Sequence, residues 1–322
     1  MSRQRIPEDV LSAAHARAKA REARDWDEAD RIRGSIEAAG WKIVDTGTDF
    51  ALSPAAPADV AEGKRLRYGA SQNVPSRLNE APAGLASVVL IATDWPHDLE
   101  RALTGLRASS PIGTSFVLVA NAPSAEQEAT LDDLEASPPA GLAIEVVWTS
   151  ERLGHGAAVN IGLRRAISPI AILFDTSVEP IGDFVTPLLR ALDDPTTAVA
   201  GGWGITSKDL RHFDSAPPGD VDAIEGYCMA FRRADFAERG PLDERFSFYR
   251  NLDIWWSLVL RDSWEGAPAR RALFLDDLPL SRHEHRGYAS LPESERDRLS
   301  KRNFYRIIDR FGARRDLLVR PD

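Results

Sequence analysis

The side chains best placed for chemistry sit where apolar runs end. FDTSVEP (174–180) closes such a run with Asp175, followed by Thr176, Ser177 and Glu179. A carboxylate at the carboxyl end of a buried strand is placed to hold a ribose hydroxyl or a divalent cation that bridges phosphates. The same residue type also caps ordinary turns. Thr93, Asp94, Asn121 and Thr149 stand at the ends of three more apolar runs. His283 and His285, in LSRHEHRGY, are two residues apart. In an extended segment they point to opposite sides, so at most one faces a common site. Arg302, Arg306 and Arg310 recur at helical spacing and share a face, and Arg282 and Arg286 flank the histidines.

Those arginines belong to a basic end. From Arg282 to Asp322 there are 11 Lys and Arg against 7 Asp and Glu, in a chain of net charge −9. The overall charge opposes nonspecific nucleic-acid binding. Guanidinium groups suit bidentate phosphate contact, so the tail invites an anion-binding role. The single cysteine, Cys228, allows no internal disulfide and no cysteine zinc site. The first residues lack the apolar core of a secretory signal, and no run of 18 apolar residues is present. Together these point to the cytoplasm, free or peripheral to the inner face of the membrane. They say nothing of oligomeric state.

The elements that must position these residues follow a clear rhythm after residue 86. ASVVLIAT, SFVLVAN, AIEVVWT and PIAILFDT read as strands. DLERALTGLRAS, AEQEATLDDLEAS and GAAVNIGLRRAI read as the helices between them. Near-continuous Val, Ile and Leu runs alternating with helices imply an α/β fold with a mainly parallel sheet covered on both faces. Ligands then sit outside the carboxyl ends of the strands. Residues 1–52 read as a helical hairpin and a short extended piece, with Asp25 and Glu28 spaced as in a capping box and Gly40 as a helix stop. Residues 53–86, rich in Pro, Ala and Gly, read as a linker or an ordered loop, leaving 87–322 as the main domain of the 322-residue chain.

The block from Ser87 to about Phe311 resembles family 2 glycosyltransferases of the GT-A fold. SVVLIATDWPHDLERAL is similar to that family's opening strand, turn and helix, and SFVLVANAPS to its second strand and loop. RLGHGAAVNIGLRRA, with Asn160, resembles its glycine- and asparagine-bearing segment. FDTSVEP occupies the place of the Asp-x-Asp motif. EGYCMAFRR resembles the acceptor-side strand, and GPLDERFSFYRNLDIWWSLVLRD the stretch that holds the catalytic base. The resemblance implies inverting transfer of a sugar from a nucleotide-diphosphate donor to a hydroxyl acceptor. The attacking hydroxyl then needs a carboxylate base, and the leaving diphosphate needs positive charge from a metal or from Arg or Lys.

On that resemblance Asp253 is the candidate base, with an N-cap of the following helix as its other role. Thr93, Asp94, Asn121, Asn160, Asp175, Ser177, Arg286 and Arg302 are candidates for the donor, with Arg306 as a further arginine. Trp203, Glu225, Gly226, Tyr227 and Trp256 are candidates for the acceptor, with one of the adjacent pair Trp255–Trp256 expected in the core. Asp175, His283 and His285 are candidate ligands for Mn2+ or Mg2+. Two departures stand out. Ser177 replaces the second carboxylate of Asp-x-Asp, and a hydroxyl is a poorer ligand for a hard cation. Ala120 and Asn121 stand where an aspartate often reads the base. These departures also fit a relative that has lost catalysis and only binds a nucleotide or a glycan-assembly partner.

The N-terminal segment, RAKAREARDWDEADRIRGSIEAAGWKIVDTGTDFAL, resembles the C-terminal segment of cysteinyl-tRNA synthetases through Ala29, Asp30, Ile32 and Arg33. That opens a third reading as an RNA-associated protein. From Arg3 to Arg33 there are 8 basic and 7 acidic residues, so no basic footprint supports it.

Overall fold

A computed structural model describes residues 6–46, 49–139 and 142–319. The chain divides into two units, Met1–Pro57 and Ala58–Asp322. The first holds α1 (Glu8–Glu22), α2 (Trp26–Ala38), β1 (Trp41–Thr46) and β2 (Asp49–Pro54), the strands pairing antiparallel. Val10, Ala14, Ile32, Ile36, Trp41 and Ile43 form its small core. The Asp25 carboxylate accepts the Glu28 amide as the capping box requires, but the Glu28 side chain pairs with Arg31 instead of reaching back. Trp26, at the start of α2, is 57% exposed. Arg17 is buried and donates to Asp45, tying α1 to β1.

The second unit runs β3 (Val60–Glu62), β4 (Arg65–Tyr68), β5 (Ala86–Ala92), α3 (Pro96–Ser109), β6 (Thr114–Ala120), α4 (Ala125–Ala136), β7 (Ala143–Thr149), α5 (His155–Arg165), β8 (Ile170–Phe174), β9 (Val178–Pro180), α6 (Val185–Asp193), β10 (Thr197–Gly201), β11 (Gly204–Ser207), β12 (Phe213–Ser215), β13 (Gly219–Val221), β14 (Ala223–Ile224), β15 (Cys228–Arg232), α7 (Arg233–Arg239), α8 (Leu252–Arg261), β16 (Arg271–Phe274), β17 (Leu280–Arg282), α9 (Arg286–Ala289) and α10 (Glu293–Phe311). Ten strands form one sheet in the order β13-β16-β10-β15-β8-β5-β6-β7-β4-β3. Its centre, from β8 to β4, is parallel, and β15 enters antiparallel between β8 and β10.

Alternate residues of each central strand feed cores on opposite faces. Val89, Val117 and Val119 pack under α5 and α8, and Val88, Leu90 and Leu118 pack under α3 and α6. Both faces are dry, which is why these strands read as unbroken apolar runs. Gly162 lets α5 lie close on the sheet, since a Cβ there would stand 2.2 Å from Val89 Cγ1.

The linker expected over 53–86 is not one. Ser53 and Pro54 close β2, and β3 and β4 extend the main sheet, β4 running parallel to β7. Arginines supply the order that the Pro-rich composition hides. The Arg65 guanidinium stacks 3.8 Å over the Trp148 ring and pairs with Asp132 and Glu135 of α4. Further on, Arg164, Arg165 and Arg233 donate to the carbonyls of Val74, Pro75 and Arg77. Backbone groups with no ladder to join are satisfied by side chains borrowed from α5 and α7.

Candidate functional site

A cleft of about 940 Å³ opens at the carboxyl ends of the parallel strands. That volume lies in the range of small-molecule sites. Thr93, Asp94, Asn121, Asp175, Ser177, Glu225, Gly226, Tyr227, Asp253, His285 and Arg286 all line it. Asn160, Trp203, His283 and Arg302 do not.

Asp175 ends β8. Its Oδ1 accepts the Ser177 amide at 2.8 Å and the Ser177 hydroxyl, and its own amide donates to the Tyr227 carbonyl. The antiparallel pair β9 and β17 then brings the histidine segment across. His285 Nε2 sits 3.3 Å from Asp175 Oδ2. Its ring stacks on Tyr249 at 4.5 Å and 19°. Its Nδ1 accepts the Tyr288 amide at 3.1 Å, capping α9. Burial opposes the charge on both partners of this pair, yet each outweighs that for the other: Asp175 titrates below its ordinary range and His285 above its own. His283 points the other way and meets Glu179 at 2.8 Å. So of the two histidines only His285 faces the site, as the i, i+2 spacing predicts.

Asp175 and His285 are the groups of the cleft that could hold the expected cation, their Oδ2 and Nε2 standing 3.3 Å apart. Ser177 supplies no charge and spends its hydroxyl on Asp175. Among the described residues no group of three or more His, Cys, Asp and Glu converges as a metal site. Positive charge reaches the cleft also from Arg286, whose Nε lies 3.5 Å from Asp98.

Asp253 lies in the first turn of α8, not at its N-cap. Asn251 takes that position at φ +70°, a left-handed turn that asparagine tolerates. Asp253 Oδ2 accepts the Gly226 amide and Oδ1 the Ile254 amide, each at 2.9 Å. Burial pushes its pKa up from the ordinary value despite these amides. Burial and the nearby Asp253 charge together raise Glu225 as well.

Several candidates turn out to be scaffolding. Asn160 is fully buried and bonds both the amide and the carbonyl of Leu242, with Glu244 as a third partner. It fixes the loop before α8 and does not line the cleft. Asn121 lines the cleft, but its amide is spent on Leu153 and Thr149. Trp256 is 1% exposed, stacked on Trp255 and met edge-on by Phe231 and Phe236, so no ring face is free for a sugar. Trp203 stands beside Tyr227, edge-on at 5.6 Å. Arg302 donates to the Ser247 hydroxyl and Arg306 to the Arg245 carbonyl, so this face of α10 packs on the 245–247 loop.

Other residues enter without a sequence signal of their own. His155 opens α5 in the cleft, and burial pushes its pKa down to about 4 against the pull of Asp175, leaving it neutral at pH 7. The first amides of α5 donate to the carbonyls of Ser247 and Phe246, so that helix end is closed to anions. A Cβ at Gly154 or Gly156 would stand 2.9 Å from this loop. Arg152 grips Asp94 with two bonds of 2.6 Å. Tyr249, Arg250 and Lys301 complete the rim.

The sheet has the architecture of a GT-A fold, with an acidic turn at the end of one central strand and the half-buried Asp253 carboxylate facing the same cleft. Residues 87–241 match the family described as Glycosyl transferase family 2. The chain therefore carries a family 2 glycosyltransferase domain.

Solved structures agree on the fold. One is the mannosyltransferase PcManGT from Pyrobaculum calidifontis in complex with GDP-Man and Mn2+. It is 17% identical with a TM-score of 0.55, over 76% of this chain and 71% of that one. Another is GalNAc-T7 with UDP, GalNAc and Mn2+, 16% identical with a TM-score of 0.55, over 70% of this chain and 48% of that one. A stretch of 41 residues is 46% identical to Cysteine--tRNA ligase 1 from Burkholderia lata. The match spans 13% of this chain and 9% of the ligase. Among the described residues no helix is long and apolar enough to cross a membrane.

Proposed function

We propose that this protein transfers a sugar from a nucleotide-diphosphate donor to a hydroxyl acceptor, with inversion at the anomeric carbon. The carrying observation is Asp253: a carboxylate with both oxygens fixed by backbone amides and its pKa raised by burial, in the same cleft as Asp175. A raised pKa suits a base that must take a proton and then release it near neutral pH. Asp253 draws the proton from the acceptor hydroxyl as its oxygen attacks the anomeric carbon. The bond to the diphosphate breaks on the opposite face. His285 and Arg286 stabilise the charge that grows on the leaving group. Thr93, Asp94 and Asp175 hold the donor, and Glu225, Gly226 and Tyr227 border the acceptor. The GDP-Man and UDP held by the solved relatives make guanosine and uridine diphosphate sugars the first donors to test.

Ser177 favours a second reading, a domain that keeps the cleft for nucleotide binding alone. Melting temperatures with UDP, GDP, TDP and ADP, each with and without Mn2+, separate the two when paired with turnover of the matching nucleotide sugar. A ligand at 100 times its Kd adds about 2.7 kcal/mol of stability. A shift with one nucleotide together with turnover supports the enzyme. A shift without turnover supports the binding protein, and no shift with any nucleotide overturns both.

A further inference from the structure

We propose that Asp98 is a positioning residue for the transfer, holding Arg286 in the cleft for the leaving diphosphate without cancelling its charge. This rests on the glycosyl-transfer reading and adds the group through which Arg286 is set in place. Asp98 lies in the first turn of α3 and lines the cleft, yet its side chain is only 4% exposed. A carboxylate that deep is costly to keep ionised unless it is paired. Two guanidinium groups meet it, one per oxygen. Arg101, one turn on in the same helix, has Nη2 2.9 Å from Oδ1, and Arg286 has Nε 3.5 Å from Oδ2.

The other carboxylates of the cleft wall have partners of their own. Asp94 is taken by Arg152, and Asp175 stands against His285. Asp253 accepts the Gly226 and Ile254 amides, with Glu225 beside it. Around Asp98, one negative charge therefore faces two positive ones. Arg286 is anchored and still offers charge to the cleft, where its side chain stays 44% exposed. A guanidinium anchored at Nε leaves its two terminal nitrogens for the oxygens of a diphosphate. The anchor also sits where the donor-side elements meet. Arg101 Nη2 reaches the Thr176 carbonyl at 3.5 Å, in the turn that follows Asp175. The start of α9 approaches the start of α3 at a second point, since a Cβ at Gly287 would stand 3.8 Å from Nε1 of Trp95, the N-cap of α3. Asp98 thus joins the turn after β8 to the segment that carries His285 and Arg286.

The test is a double-mutant cycle on the full chain. It follows nucleoside diphosphate release from GDP-mannose, UDP-glucose, TDP-glucose and ADP-glucose, with water as the acceptor. Arg286→Ala is expected to lower kcat by about 10²-fold, and Asp98→Asn by about tenfold. Donor KM should stay within about threefold in both, because the contact is made to charge that grows in the transition state. Added to Arg286→Ala, Asp98→Asn is expected to cost nothing further, since the group it positions is gone. A role in stability alone would instead lower the melting temperature and multiply the two losses. Asp98→Glu, which keeps the carboxylate, should retain more of kcat than Asp98→Asn, and it serves in the cycle if Asp98→Asn melts too low to assay. Asp98→Asn within about twofold of the unmodified kcat, Arg286→Ala at the unmodified rate, or losses that multiply in the double variant each overturn the positioning role and leave glycosyl transfer standing. Release from none of the four sugars by the unmodified chain overturns glycosyl transfer and the positioning role with it.

Discussion

Replacing Asp253 by Asn separates catalysis from binding. In the fold Asp253 accepts two backbone amides, from Gly226 and Ile254, at 2.9 Å each. An asparagine keeps one acceptor and turns its NH2 toward the other amide, which costs about 1 kcal/mol. Removing the charge works the opposite way. A carboxylate whose folded pKa is raised leaves the protein most stable below the ordinary carboxylate range, and it costs stability as pH rises and the group ionises. The substitution removes that cost, so stability at pH 7 should change by no more than about 1 kcal/mol. The rate should change far more. A positioned general base contributes about 10²–10⁴-fold, so transfer by Asp253→Asn should fall by that factor. Nucleoside diphosphate affinity, followed by calorimetry, should be retained. The rate of the unmodified enzyme should fall on the acid side at a pH above ordinary carboxylate titration, as protonation silences the base. A variant within tenfold of the unmodified rate, or an acid limb at the ordinary carboxylate pKa, refutes the assignment.

Three other substitutions probe the scaffold and the charge balance. Arg261 is buried and donates to the carbonyls of Asp222, Leu317 and Arg270. Arg261→Met should cost about 3–5 kcal/mol in urea titrations, and a loss under about 1 kcal/mol would show that those carbonyls find other partners. Gly162→Ala should cost about 1–3 kcal/mol, because its Cβ meets Val89 at 2.2 Å; an unchanged midpoint would mean that α5 lifts freely off β5. Ser177→Asp sets a second carboxylate beside Asp175. It should lower the melting temperature through like-charge repulsion and make nucleotide stabilisation depend more strongly on Mn2+ than in the unmodified chain. Equal Mn2+ dependence in the two proteins would show that position 177 does not reach a bound cation.

What could be read in the sequence was whatever repeats along a helix or strand. The four apolar runs and the helices between them lie where their periodicity sets them. The residues after those runs, Thr93, Asp94, Asn121 and Asp175, do border one cleft, because a parallel sheet delivers strand ends to one side. The alternation of an extended chain likewise chose one histidine of the pair. Interactions between distant segments were hidden. Residues 58–86 are ordered by arginines 90 to 156 positions away along the chain and by Arg65 set against partners on α4, and Pro-rich composition carries no trace of that. Asn160 had the right type for a ligand and a buried structural post instead. Trp256 is aromatic and near the cleft, but both ring faces are covered. Arg302 falls at helical spacing on a face that meets the 245–247 loop. Residue type showed what each side chain could do, while burial decided which were free to do it.

The most direct single measurement follows the anomeric proton by NMR in the first minutes after an α-linked nucleotide sugar accepted by the protein is added, before mutarotation. Water in the acceptor end of the cleft then stands in for the hydroxyl. The expected first product is the β-sugar, released with the nucleoside diphosphate by the unmodified chain and absent with Asp253→Asn. An α-sugar as first product, or equal release by both proteins, would contradict inverting transfer with Asp253 as the base.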